Sequence, residues 1–226
     1  MKKIGMISAM TGELNAMLER FDSLEEIVDS CGKKAFYAKI GDREIYIVES
    51  GVGEILAAAA AQWLITRFQV EAIINFGVCG SLKPRHGLKK TVLVKGVAHY
   101  EMDTSALDDA EVGKYFFLPS VLIPTSDELL KKALAVQPAL ECVICASGNK
   151  FVEKKEDKEY LTETFNADVC EMEAAGIALT CYSCGVPCLL VKAVSDGEGG
   201  AEDFRATVEE ACRVYTELIT DLIPIL

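Results

Sequence analysis

Four short stretches of this chain are predominantly apolar with no regular alternation: "KKIGMISA" (2–9), "VEAIINFG" (70–77), "TVLVKGVAH" (91–99) and "CLLVKAVSD" (188–196). A strand with one face in water alternates apolar and polar residues, so such a run means burial on both faces. That condition is met in a largely parallel sheet covered by helices on either side. The segments between the runs supply such helices. "GEILAAAAAQWLITRF" (53–68) has helical length and composition. "TSDELLKKALAV" opens with Thr125 and Glu128 at capping-box spacing. "KKEDKEYLTETF" reads as a charged, exposed helix. "AAGIALTCYSC" reads as a buried one that stops at Gly185, with Pro187 beyond. "KAFYAKI" and "REIYIVES" form a hairpin about Gly41-Asp42. From Glu202 onward, Phe204, Val208, Ala211, Cys212, Tyr215, Leu218 and Leu222 mark one apolar face of a helix. The order predicts one α/β domain over residues 1–226, with a mixed central sheet and helices on both of its faces.

The totals narrow the function. A chain of 226 residues, half of them hydrophobic, fits one large folded domain. Its net charge of −12 argues against a nucleic-acid partner. No apolar run is long enough to span a bilayer, and the opening shows no signal-peptide pattern, which predicts a soluble, cytoplasmic protein. The nine cysteines are odd in number, and reduced, buried thiols account for them. "CVIC" (142–145) falls in a predicted strand and "CYSC" (181–184) in a predicted helix, which are poor settings for zinc knuckles. His86 and His99 lack metal or triad spacing and read as surface or structural residues. The expectation is therefore no metal and no cofactor.

In open α/β sheets, ligands bind beyond the carboxyl ends of the strands. Asp196 ends such a strand against "GEGG", placed either for a cleft or for a turn. Glu13 follows the first strand, where it either faces a ligand or favours a helix N-terminus. Glu171 and Glu173 stand two apart before an apolar helix. In an extended segment they share one face, and a carboxylate there suits a vicinal diol; the alternative is a pair of solvated acids at a helix start. "NFGVCGSL" (75–82) reads as a tight turn at a strand exit. "ESGVGEILAAA" (49–59) lacks the third glycine of a dinucleotide fingerprint, and close helix packing explains it.

Together, "KIGMISAMTGEL", "ESGVGEILAAAAAQWLI", "INFGVCGSL", "ASGNKFV", and above all "VCEMEAAGIA" followed by "GVPCLLVKAVSD", resemble the nucleoside phosphorylase and nucleosidase superfamily. The nearest branch is the 5′-methylthioadenosine/S-adenosylhomocysteine nucleosidases, and the resemblance covers nearly the whole chain. It implies a three-layer nucleoside phosphorylase-like fold and hydrolysis of a purine N-glycosidic bond. It implies roles as well. Glu13 would activate water, Asp196 would protonate the purine, and Ser195 would orient Asp196. Glu173, with Met172 backbone help, would hold the ribose hydroxyls. Phe151 and Val152 would bind the base, and Met10 and Val52 would pack on the sugar side. Two further positions in the binding region depart from the family pattern: Val78 stands where serine is usual, and Lys192 where arginine is usual. Phosphorolysis and binding without turnover are the alternatives. The resemblance also implies a small-molecule nucleoside as partner and a homo-oligomer, a dimer by preference. The irregular 100–120 segment, with Tyr115, Phe116 and Phe117, would be the contributor across its interface.

Overall fold

The computed structural model describes residues 1–30 and 32–226; Cys31 lies outside them. The strands are β1 (Lys3–Ser8), β2 (Glu25–Val28), β3 (Lys34–Ile40), β4 (Arg43–Glu49), β5 (Ala72–Ser81), β6 (Thr91–His99), β7 (Leu122–Pro124), β8 (Glu141–Ser147), β9 (Val169–Glu171) and β10 (Cys188–Asp196). The helices are α1 (Thr11–Leu18), α2 (Glu54–Phe68), α3 (Ser105–Asp108), α4 (Asp127–Val136), α5 (Lys155–Phe165), α6 (Ala174–Cys184), α7 (Ala201–Val214) and α8 (Thr216–Leu222). A 3₁₀ turn, Ile223–Ile225, follows.

The sheet is mixed, as the apolar runs require. β5 pairs in parallel with β1 on one flank and with β10 on the other. The sheet then runs through β6, β8 and β9, and β9 returns antiparallel to the far end of β5. This is more barrel-like than a flat layer. β4, β3 and β2 extend the other side beyond β1. Every residue of β5 and β10 is buried. One apolar core joins β1, β5 and β10 to α1, α4, α7 and α8, and a second joins the sheet to α2 and α6. Each fully buried Leu, Ile or Val in these strands contributes about 1.5–3 kcal/mol.

Two expectations change. First, "NFGVCGSL" is no exit turn: β5 continues through Ser81. β10 stays paired with it as far as Asp196 opposite Gly80. Second, the cap of α4 is Ser126, whose side chain accepts from the Leu129 amide at 3.3 Å. Thr125 Oγ1 instead donates to the Val94 carbonyl at 2.9 Å. Of the two readings open for His86, surface or structural, its burial favours the structural one. The two CxxC pairs do lie in β8 and α6, and each of the eight described cysteines is a free thiol.

Candidate active site

The partial closure of the sheet creates the site. β1 leaves β5 after Asn75, and β9 joins β5 only at Gly80. Between these pairings that flank of β5 has no strand neighbour among the described residues, so a backbone donor there needs another partner. The Val78 amide finds it in Glu13 Oε1, at 2.9 Å. Glu13 sits in the first turn of α1, and its Oε2 accepts the Ala9 and Met10 amides at 2.9 and 3.0 Å. The acid therefore binds a helix start and is also aimed across the gap. Burial pushes its carboxyl above the ordinary range, against the pull of Lys192 and three amides.

The glycines of β5 clear space for two acids. A Cβ at Gly77 would lie 2.6 Å from Glu13 Oε1, and one at Gly80 would lie 2.8 Å from Asp196 Oδ2. Asp196 ends β10, with the Ser195 hydroxyl 2.8 Å from its Oδ1. Burial raises the Asp196 carboxyl as well.

The third wall is the junction of β9 and α6. Glu171 accepts the Glu173 amide at 3.0 Å and the Ala174 amide at 2.9 Å, and so satisfies the open end of α6. Lys192, 1% exposed, reaches it from β10 at 2.9 Å. Burial works to raise Glu171, but Lys192 and these amides hold it below the usual carboxylate range. The same carboxylates outweigh burial at Lys192 and keep it protonated. Glu173 is placed differently. Its Oε1 accepts the Gly53 amide at 2.9 Å, and burial beside Glu171 raises it to about 7. Such a carboxyl takes up a hydrogen-bond donor readily.

Glu13, Glu171, Glu173 and Asp196 all line one cavity of about 240 Å³. Met10, Val52, Val78, Phe151, Val152, Met172 and Ser195 line it too. Lys192 differs from the expectation: it stands behind the wall, committed to Glu171. Phe204 and Lys150 are additions from the structure. Phe204 belongs to the apolar face of α7, and its ring meets that of Phe151 edge-on at 5.8 Å. The helical periodicity marked it only as part of an apolar face. The arrangement gathers four carboxyls of unequal basicity around one hollow, a set chemically able to supply the acid and the base that cleavage of a glycosidic bond requires.

A family model, described as the phosphorylase superfamily, matches residues 3–224. The aminodeoxyfutalosine nucleosidase of Campylobacter jejuni is 30% identical over 97% of this chain and 97% of its own length. A 5′-methylthioadenosine/S-adenosylhomocysteine nucleosidase of Staphylococcus aureus is 32% identical over 97% of this chain and 98% of its own. Among solved structures, the Helicobacter pylori 5′-methylthioadenosine/S-adenosylhomocysteine nucleosidase with butyl-thio-DADMe-Immucillin-A superposes with a TM-score of 0.94 at 28% identity. That match covers 100% of this chain and 99% of the other. The cavity's geometry and these matches agree, and the chain belongs to the phosphorylase superfamily.

Proposed function

We propose that this protein hydrolyses the N-glycosidic bond of a 5′-substituted adenosine, releasing adenine and the substituted ribose. The observation that carries the reading is the convergence of Glu13, Glu173 and Asp196 on one cavity. Glu13 orients water and accepts its proton as the oxygen attacks the sugar's anomeric carbon. The bond electrons leave with the purine, and Asp196 gives a proton to its imidazole nitrogen. Glu173 accepts the ribose hydroxyls, with the Met172 backbone beside it. Ser195 aligns Asp196. Phe151 and Val152 hold the base, and Met10 and Val52 pack on the sugar side. Val78 contributes its amide to Glu13, and Lys192 acts indirectly by fixing Glu171.

Hydrolysis is favoured over phosphorolysis by the lining, where Lys150 is the one cation among the described residues, and it pairs with Asp157 at 2.6 Å. Two 5′ substituents are in play, because relatives of near-equal identity are named for methylthioadenosine and for aminodeoxyfutalosine. The chain acts as one domain and as a homodimer. Leu107 and Phe116, 88% and 94% exposed beside Phe117, support an apolar contact there. The eight free thiols fit a cytoplasmic setting.

The test is release of free adenine from methylthioadenosine, S-adenosylhomocysteine and aminodeoxyfutalosine, with adenosine and inosine as controls, each with and without phosphate. Phosphate-independent release supports the reading. Strict phosphate dependence, or binding without release, overturns it.

A further inference from the structure

The stretch that follows Asp196, "GEGG", has no part in the roles above, yet its surroundings are specific. Lys158 of α5 donates its ammonium to the Gly197 carbonyl. From the opposite side, Asp203 of α7 accepts the Gly197 and Gly199 amides on Oδ2, at 3.2 and 2.9 Å. A Cβ at Gly199 would lie 2.4 Å from Asp203 Oδ1, so the glycine is what lets the carboxylate seat under the turn. Lys158, Gly197 and Asp203 line a second hollow of about 510 Å³. Neither charged residue lines the cavity that holds Asp196.

We propose that Lys158 and Asp203 are positioning residues for Asp196: they clamp the turn that follows it from two sides and bracket its carboxyl with opposite charges. The inference rests on Asp196 as the proton donor. Turn and acid are one continuous backbone, so a clamp at Gly197 fixes where β10 ends and where the acid points. The electrostatics follow from the same placement. Burial raises Asp196, the Ser195 hydroxyl and Lys158 lower it, and Asp203 raises it. Among the described residues, the remaining titratable groups that sense Asp196 are the buried thiols of Cys79 and Cys170, on β5 and β9. Both are raised by burial, which keeps them neutral. The charge balance at Asp196 is therefore set from α5 and α7. A proton donor works best when its pKa lies near the operating pH, and one lysine opposed by one aspartate provides that adjustment.

The experiment is the pH profile of kcat for adenine release from methylthioadenosine by the full chain. It compares Lys158→Met, Lys158→Arg and Asp203→Asn with the parent, with melting curves as the folding check. Removing Lys158 raises the Asp196 pKa, so the alkaline limb should move up by roughly half a unit to one unit. Removing the Asp203 charge should move the limb down by a similar amount. Lys158→Arg should restore the parent limb, and KM should hardly change. Limbs that stay in place, or that move in the same direction, overturn the inference. If Lys158→Met fails to fold, the near-isosteric Asp203→Asn decides alone by the direction of its shift. An Asp196→Asn variant with full turnover would instead overturn the role of Asp196 itself.

Discussion

The floor and the rim of the cavity are built on different principles. On the floor, Glu13, Glu171 and Glu173 each accept backbone amides at 2.9–3.0 Å, and Lys192 sits behind them, 1% exposed. On the rim, Val52 and Phe151 are 49% and 41% exposed, and Phe151 is held by an edge-on ring contact with Phe204. The floor is fixed by backbone that the sheet has already ordered, so its charges need little rearrangement when charge develops on the substrate. The rim is apolar and adjustable, suited to discriminating substituents rather than to driving the reaction. Floor substitutions should therefore act on kcat or on stability, and rim substitutions on KM.

The largest effect belongs to the acids. Glu13→Gln or Asp196→Asn should each lower kcat by about 10²–10⁴-fold while the melting curve shows a folded protein. Initial-rate assays decide this, and full turnover in either variant would sever that acid from the chemistry. Next is Lys192→Met, which strands a buried Glu171 carboxylate. Breaking such a pair costs about 3–5 kcal/mol, a melting point lower by on the order of 10 °C. Calorimetry at neutral pH measures it.

Glu173 offers a subtler floor test. Its folded-state pKa, about 7, lies above the ordinary carboxylate value of 4.5. The folded chain therefore holds that proton more tightly than the unfolded one. The stability it contributes is full below the unfolded value and is lost as pH rises through about 7. Glu173→Gln keeps an acceptor for the Gly53 amide but cannot ionise. Its stability relative to the parent should rise by on the order of 2–3 kcal/mol from acid to mildly alkaline pH, read from denaturant melts. A flat difference would mean that Glu173 is not held against ionisation. The smallest effect lies at the rim: Phe151→Leu should raise KM several-fold and leave kcat nearly unchanged.

The same division governs what the sequence discloses. β6 and β10 are legible to the residue, because largely apolar runs and flanking stop signals are local properties. α6 ends at Gly185 for an equally local reason, a left-handed cap. β2, "EEIV", carries no apolar pattern because it is an exposed edge, and it goes unpredicted. The glycines of β5 read as a turn because glycine serves turns and close approaches alike. Only the arrival of Glu13 and Asp196 from other elements shows which it is. Glu13 and Asp196 are visible as acids at strand ends, although ordinary capping explains them as well until the family resemblance is added. The Glu171–Lys192 pair spans 21 positions and depends on the ring closure of the sheet, so no spacing rule anticipates it. Phe204 looks like core until α7 is seen to border the cavity.

The central claim is spatial, and a crystal structure of Asp196→Asn soaked with methylthioadenosine tests it most directly. The account predicts the purine imidazole nitrogen at residue 196, both ribose hydroxyls on Glu173, and a water between Glu13 and the anomeric carbon. A nucleoside seated elsewhere, or one whose ribose turns away from Glu173 and whose base lies away from residue 196, would contradict it.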